Sequence, residues 1–203
     1  MDHQQYPEAM NRKHKQLVRR ASKKFVGEKL PHPIPGNVVS LPLVRVLETR
    51  RHFANYPHVQ PGRFFFFEKD IKKFEDMSRA FTRARRRWRD VTLFLDDLFT
   101  REALSLIPDV SVTVFDLDFM ASATVTMVRD IGRLLLQKAN PSGFMLFLNT
   151  AYSRCAVSKE ESVGLHYDLL QLVTEQHPDL DIHSSSGTYS DGTPMMYTTI
   201  VGV

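Results

Sequence analysis

Two aspartates one residue apart, Asp116 and Asp118, close the run Ser111-Val112-Thr113-Val114-Phe115, which has the apolar, β-branched character of a buried strand. A buried carboxylate is costly unless it is paired or hydrogen-bonded. Acids at this place therefore either project past the end of a sheet or line a site. The same pattern recurs along the chain. Glu68, Lys69 and Asp70 follow four phenylalanines, Asp96 and Asp97 follow Val91-Thr92-Leu93-Phe94-Leu95, and Asn149 and Thr150 follow Phe144-Met145-Leu146-Phe147-Leu148. In open α/β sheets ligands bind beyond the carboxyl ends of the strands. A carboxylate after the second strand of a nucleotide-binding sheet has a defined task there: it accepts both hydroxyls of a ribose. Glu68 is the candidate, with Asp70 either a second one or the N-cap of the following helix. Asp96 and Asp97 are placed to reach an adenine amino group or to cap the short helix after them.

The elements that must position these acids alternate in type. The strands read as 37–43, 62–70, 91–97, 110–118 and 143–150, and the helices as 44–53, 71–90, 100–107, 124–140 and 159–177. In the second helix, Ile71, Phe74, Met77, Phe81 and Trp88 recur at helical spacing. The turn signal Ser190-Asp191-Gly192-Thr193 joins two further strands as a hairpin. Continuous apolar strands alternating with amphipathic helices predict a mostly parallel seven-stranded α/β sheet with helices on both faces, ended by an antiparallel C-terminal hairpin. Ahead of it, residues 7–26 read as a basic helix, and Pro31, Pro33 and Pro35 mark a linker. The expected division is 1–36 as a basic N-terminal helix and proline-rich linker and 37–203 as the α/β domain.

The chain has 203 residues, 42% of them hydrophobic and 25% charged, as in a soluble globule. The N-terminus lacks an apolar signal core, and no apolar run spans a membrane, so no membrane partner is expected. The single cysteine, Cys155, excludes a disulfide framework and a cysteine zinc site and fits an intracellular, cytoplasmic setting. The eight histidines show no metal-ligand spacing, so no metal is expected. Charge is uneven: residues 1–90 carry 21 of the 27 Lys and Arg and 9 of the 23 Asp and Glu, a net +12 against −8 for the rest. Such asymmetry points to a polyanionic partner or a subunit of opposite sign. Arg83, Arg85, Arg86, Arg87 and Trp88, together with the N-terminal helix, are the candidate nucleic-acid contacts, or a face for an acidic protein.

Seven strands, a terminal hairpin, an acid after the second strand and an acid-plus-aromatic after the fourth resemble a class I S-adenosylmethionine-dependent methyltransferase, over about residues 37–203. The resemblance implies a Rossmann-like fold with S-adenosylmethionine lying across the strand ends. It implies cofactor-binding positions at Glu68, Asp96, Asp97 and Ser40. Asp116-Leu117-Asp118-Phe119 stands where amine-methylating members carry an Asp or Asn, two prolines and an aromatic residue; Asp116 matches the acid and Phe119 the aromatic, while Leu117 and Asp118 replace the prolines. The implied catalytic set is Asp116 or Asp118 as orienter or base, with Phe119 as stacking wall. The nucleic-acid substrate class follows from the basic N-terminal half.

Residues 40–52 contain no glycine, whereas the family places a glycine-rich turn after its first strand. This feature carries the alternative reading, a catalytically inactive protein on the same fold that binds nucleic acid or an acidic partner. A dehydrogenase-like nucleotide-binding protein shares the crevice logic but fits the terminal hairpin less well. Thr150, Tyr152 and Arg154 either shape a substrate mouth or form an ordinary loop.

Overall fold

Four consecutive phenylalanines on one strand need apolar cover on both sides, because successive side chains point to opposite faces. Phe64 to Phe67 lie in such a strand, and none is more than 4% exposed. Phe64 and Phe66 join one hydrophobic cluster, Phe65 and Phe67 another. The protein is accordingly a sheet between two helical layers. The computed structural model describes residues 8–30, 32–41, 46–82, 89–152, 157–190 and 193–203.

The chain runs α1 (Glu8–Lys29), β1 (Ile34–Ser40), α2 (Val46–Ala54), β2 (Val59–Glu68), α3 (Ile71–Thr82), β3 (Val91–Leu95), α4 (Arg101–Ser105), β4 (Val112–Ser122), α5 (Val125–Lys138), β5 (Phe144–Ala151), α6 (Lys159–Gln176), β6 (Ile182–Ser190) and β7 (Pro194–Gly202). The strands form one sheet in the order β3-β2-β1-β4-β5-β7-β6. The first five strands pair in parallel, and β7 enters between β5 and β6, antiparallel to both. This is the mixed sheet the sequence predicts. One cluster gathers Val26 and Leu30 from the α1 side, Phe53 of α2 and Met77 of α3 against Val38, Phe64, Phe66 and Val114. The other gathers Ala103 and Leu104 of α4, Ile131, Leu134 and Leu135 of α5, and Leu169 and Val173 of α6 against Val39, Phe65, Phe115 and Leu146. Among the described residues, no helix is long and apolar enough to cross a membrane.

Several boundaries move for physical reasons. β1 starts at Ile34, three residues before the expected 37, because Ile34 and Pro35 already pair with Val59 and Gln60 of β2. At Gly36 the register with β2 slips, and a Cβ there would lie 1.9 Å from Thr113 Oγ1, so the backbone approach admits only glycine. The expected helix 71–90 is described to Thr82, and Arg83, Arg85, Arg86, Arg87 and Trp88 lie outside the described residues. So do Cys155 and Arg154. β4 extends to Ser122, past the expected end at 118, because β5 runs beside it: after a register shift beyond the Asp118–Asn149 pair, Ser122 still pairs with Ala151.

On the α6 side a buried polar cluster ties helix to sheet. His166 is 3% exposed, and its Nε2 shares a hydrogen bond of 2.9 Å with Thr150 Oγ1 while its Nδ1 shares one of 2.7 Å with Thr198 Oγ1. Thr150 is thus a core residue of β5, not part of a substrate mouth. Burial lowers His166 from 6.5 to about 4. The unfolded chain therefore binds a proton between those two values that the folded chain refuses, and stability is complete above pH 6.5 and lost as pH falls toward 4. Urea unfolding from about pH 7 down to about pH 4.5 should show the native protein losing about 2 kcal/mol more than a His166→Gln variant. Parallel pH profiles for the two proteins would show that this imidazole does not carry the acid sensitivity.

Candidate functional site

The strand order reverses between β1 and β4. Connections leave these two neighbours in opposite directions, so a crevice opens over their carboxyl ends. A cleft of about 570 Å³ lies there, lined by Leu41 after β1, Phe67 and Glu68 of β2, Asp96 to Phe99 after β3, Asp118, Phe119 and Ala121 of β4, and Thr124, Thr126, Met127 and Asp130 at the start of α5. Lys69 and Lys73 stand on its rim. The cleft brings together Glu68, Asp96, Asp97, Asp118 and Phe119, five of the seven positions singled out from the sequence.

Each acid is held by local geometry. Glu68 is the last residue of β2, and the Asp96 N–H donates to its carbonyl at 3.1 Å, extending the β2–β3 ladder by one rung. Its Oε1 accepts the Asp70 N–H at 2.9 Å. A carboxylate has about four lone-pair positions, so this bond leaves acceptor capacity for a ligand. Asp70 caps α3, its Oδ1 accepting the N–H groups of Lys72 at 2.9 Å and Lys73 at 3.1 Å. After β3, Asp96 Oδ1 accepts the Asp97 N–H at 2.8 Å and the Thr100 hydroxyl at 3.2 Å. Thr100, not either aspartate, caps α4 by accepting the Ala103 N–H at 3.0 Å. Asp97 accepts the Phe99 N–H at 3.2 Å, and its Oδ2 lies 3.5 Å from Lys69 Nζ.

The walls are apolar. Phe99 and Phe119 stack with centroids 5.9 Å apart and planes 19° apart. Arg133 of α5 donates to the Phe99 carbonyl at 2.9 Å and to Asp130 at 3.1 Å, anchoring the β3–α4 loop to α5. Phe99 and the Asp130–Arg133 pair did not stand out in the sequence, and Lys69 did so only as a neighbour of Glu68. An aromatic two residues after Asp97 is the only local signal for Phe99; the Arg133 contact spans the fold and leaves none.

Ser40 and Asp116 are not brought to this cleft. Ser40 is fully buried at the end of β1, opposite Asp116 in the ladder, and donates its hydroxyl to Asp116 Oδ2 at 3.0 Å. The Leu41 N–H donates to the Asp116 carbonyl at 3.0 Å. Asp116 instead lines a narrow cavity of about 30 Å³ on the α1–α2 side of the sheet. The connection from β1 to α2, residues 42–45, lies outside the described residues. Among the described residues, no cluster of His, Cys, Asp and Glu could hold a metal ion.

Strand order, crossover pattern and terminal hairpin define a Rossmann-like methyltransferase fold. Solved structures agree. The chain superposes on a putative rRNA methylase of Clostridium thermocellum with TM-score 0.59 and 12% identity, covering 91% of this chain and 94% of that one. It superposes on an rRNA methylase of Streptococcus thermophilus with TM-score 0.58 and 15% identity over 91% and 96%. It also matches Aeropyrum pernix fibrillarin, crystallised with natively bound S-adenosyl-L-methionine, with TM-score 0.56 and 15% identity over 91% and 74%. No family model matches the chain, and no curated protein matches it.

Removing the Asp96 side chain tests how the cleft is held. Asp96→Ala frees the Thr100 hydroxyl and the Asp97 N–H, and it should cost about 1–2 kcal/mol of stability and speed hydrogen exchange at the Asp97 amide. Unchanged melting and unchanged exchange would show that Asp96 does not organise the loop.

Proposed function

We propose that the protein is an S-adenosylmethionine-dependent methyltransferase whose acceptor is a nucleic acid. The observation that carries this reading is the chemistry of the cleft. Among its lining side chains are five carboxylates, Glu68, Asp96, Asp97, Asp118 and Asp130, and two ammonium groups, Lys69 and Lys73. The balance is negative over an apolar wall of Leu41, Phe67, Leu98, Phe99, Phe119 and Met127. A ligand with a flat heteroaromatic ring, a diol and a cationic end matches such a surface. A pyrophosphate does not, because no arginine or glycine-rich backbone cradle meets it among the lining residues, and the carboxylates repel it. This favours a sulfonium nucleoside over a dinucleotide. The cleft volume also falls within the range of small-molecule sites, about 300–1,000 Å³.

In this reading the Glu68 carboxylate accepts the ribose hydroxyls. Asp96 and Asp97 mark the adenine side, and the Phe99–Phe119 pair supplies an aromatic wall. Asp118 stands on β4 beside the reacting end. Bound in the cleft, the cofactor would supply a methyl group already activated on sulfur, open to in-line displacement by an acceptor nitrogen or oxygen with the C–S electron pair left on sulfur. The acceptor proton leaves to water or to a carboxylate; Asp118 is the cleft's β4 candidate. The protein's own work is mainly to hold the two reactants in line and keep water out.

The basic N-terminal half supports a nucleic-acid acceptor. The helix α1 and the segment Arg83 to Trp88 are the proposed contacts, and rRNA methylases are among the proteins that share the fold.

Calorimetric titration of S-adenosylhomocysteine tests the cofactor assignment. Binding should be micromolar in the native protein and weaker by about tenfold or more in Glu68→Ala, as expected for the loss of charge-assisted hydrogen bonds. No heat at millimolar ligand, or equal affinity in the variant, would overturn the assignment.

A further inference from the structure

The narrow cavity on the α1–α2 side is separate from the cleft and has a different chemistry. Arg19 and Val18 of α1, His52 of α2, the buried Tyr56 just after it and Asp116 of β4 are among the residues that line it. Lys23, one turn beyond Arg19, places its ammonium group 5.8 Å from the Tyr56 ring centroid. The His52 and Tyr56 rings meet at 5.4 Å, and His58 closes the other side of Tyr56 at 5.9 Å.

Three features of this cluster lack an internal purpose. Tyr56 is 3% exposed, yet its hydroxyl has no hydrogen-bond partner among the described residues. A buried hydroxyl left unsatisfied forfeits the hydrogen bond it made to water, so such groups are uncommon outside sites. Arg19 and Lys23 make no ion pair among the described residues; the one carboxylate paired on α1, Glu28, meets Lys24. Burial chiefly, and then both cations, hold His52 down at about 4, so two positive charges lie beside one neutral imidazole. Asp116, on the sheet side of the cavity, accepts the Ser40 hydroxyl.

We propose that Arg19, Lys23, His52 and Tyr56 form a phosphate-binding site between α1 and α2. A guanidinium and an ammonium group supply the charge, the Tyr56 hydroxyl supplies a neutral donor at depth, and the imidazole supplies a further N–H. A volume of about 30 Å³ admits about two oxygen-sized atoms, so two phosphate oxygens enter and the rest of the group stays at the mouth. The Asp116 carboxylate limits the depth and excludes a fully buried anion. A phosphodiester of a nucleic-acid strand meets this requirement with its two non-bridging oxygens, and free phosphate carries the same chemistry. The strand as source rests on the proposed function; the site itself does not.

The binding of an anion leaves a mark on His52, because a negative charge beside the ring favours imidazolium. Its titration is to be followed by NMR of the imidazole C–H signals, in the full-length protein, with chloride, with inorganic phosphate at equal ionic strength, or with a short single-stranded RNA. Phosphate or RNA should raise the His52 midpoint by about one pH unit over chloride. In the Arg19→Gln/Lys23→Gln double variant the midpoint should already be raised in chloride, and neither ligand should move it further. Tyr56→Phe, which keeps the ring and the fold, should weaken the ligand that acts, by about threefold to tenfold. A shift with RNA and none with phosphate assigns the site to the strand's backbone; a shift with phosphate and unchanged RNA affinity in the variants assigns it to the free ion. A midpoint that neither ligand moves overturns the site. Calorimetry with S-adenosylhomocysteine on the same samples separates the readings: its failure removes the methyltransferase and leaves the phosphate site standing.

Discussion

The pairing of β1 with β4 is the constraint on which the rest depends. These are the central strands of the sheet, and β2 and β5 extend it outward in opposite directions. Parallel neighbours need crossover helices, and those crossovers are right-handed. With the direction of winding reversed at β1 and β4, the helices that follow the first strands fall on one face and those that follow the fourth and fifth fall on the other, as the two clusters record. No helix can then cover the carboxyl ends of both central strands. The residues that end β2, β3 and β4 face that gap, which is why carboxylates can stand there without the penalty of a dry interior.

Charge follows the same division. The cleft over the strand ends is negative, whereas α1 carries an excess of lysine and arginine and lies across the other face of the sheet, its Ser22 hydroxyl 2.8 Å from Thr199 of β7. A polyanion is repelled by the cleft and drawn to the helix; a cationic nucleoside experiences the opposite field. Ligands of opposite sign would thereby be sorted to different parts of one molecule before any specific contact forms. The net charge of +4 conceals this arrangement, since it sums a basic first half and an acidic second half.

Much of the fold was legible in the sequence because its signals are local. Apolar runs of five or six residues, the Ser190 to Thr193 turn and the helical spacing of Ile71, Phe74 and Met77 required no knowledge of partners. The Asp70 cap was legible for the same reason, since its bonds reach only two and three residues ahead. What escaped depends on neighbours distant in the chain. The length of β4 is decided by β5, so two acids expected at the strand's end lie inside it. The α4 cap falls to Thr100 because Asp96 turns back to hold the Thr100 hydroxyl. Tyr56 follows His52 by four residues, just past the end of α2, a spacing visible in the sequence, but the neighbours Arg19 and Lys23 are brought to them by α1 from about thirty residues away.

The Asp116-Leu117-Asp118 triplet shows how the same residue type serves two ends within one strand. A pleat directs both aspartates to one face, about 7 Å apart along the chain. Asp116 lies level with the end of β1 and receives the Ser40 hydroxyl, so its charge is held inside the central pair and faces the cavity under α1. Asp118 lies one repeat beyond, where β1 has ended but β5 still supports β4, and it faces the cleft. The intervening Leu117 is fully buried on the opposite face, in the cluster with α5 and α6, and fixes the orientation of both. A one-residue slip of β4 against β5 would turn two carboxylates into the apolar cluster under α5 and α6 and a leucine toward the opposite face. The register that secures the core is therefore the same register that assigns one acid to each cavity.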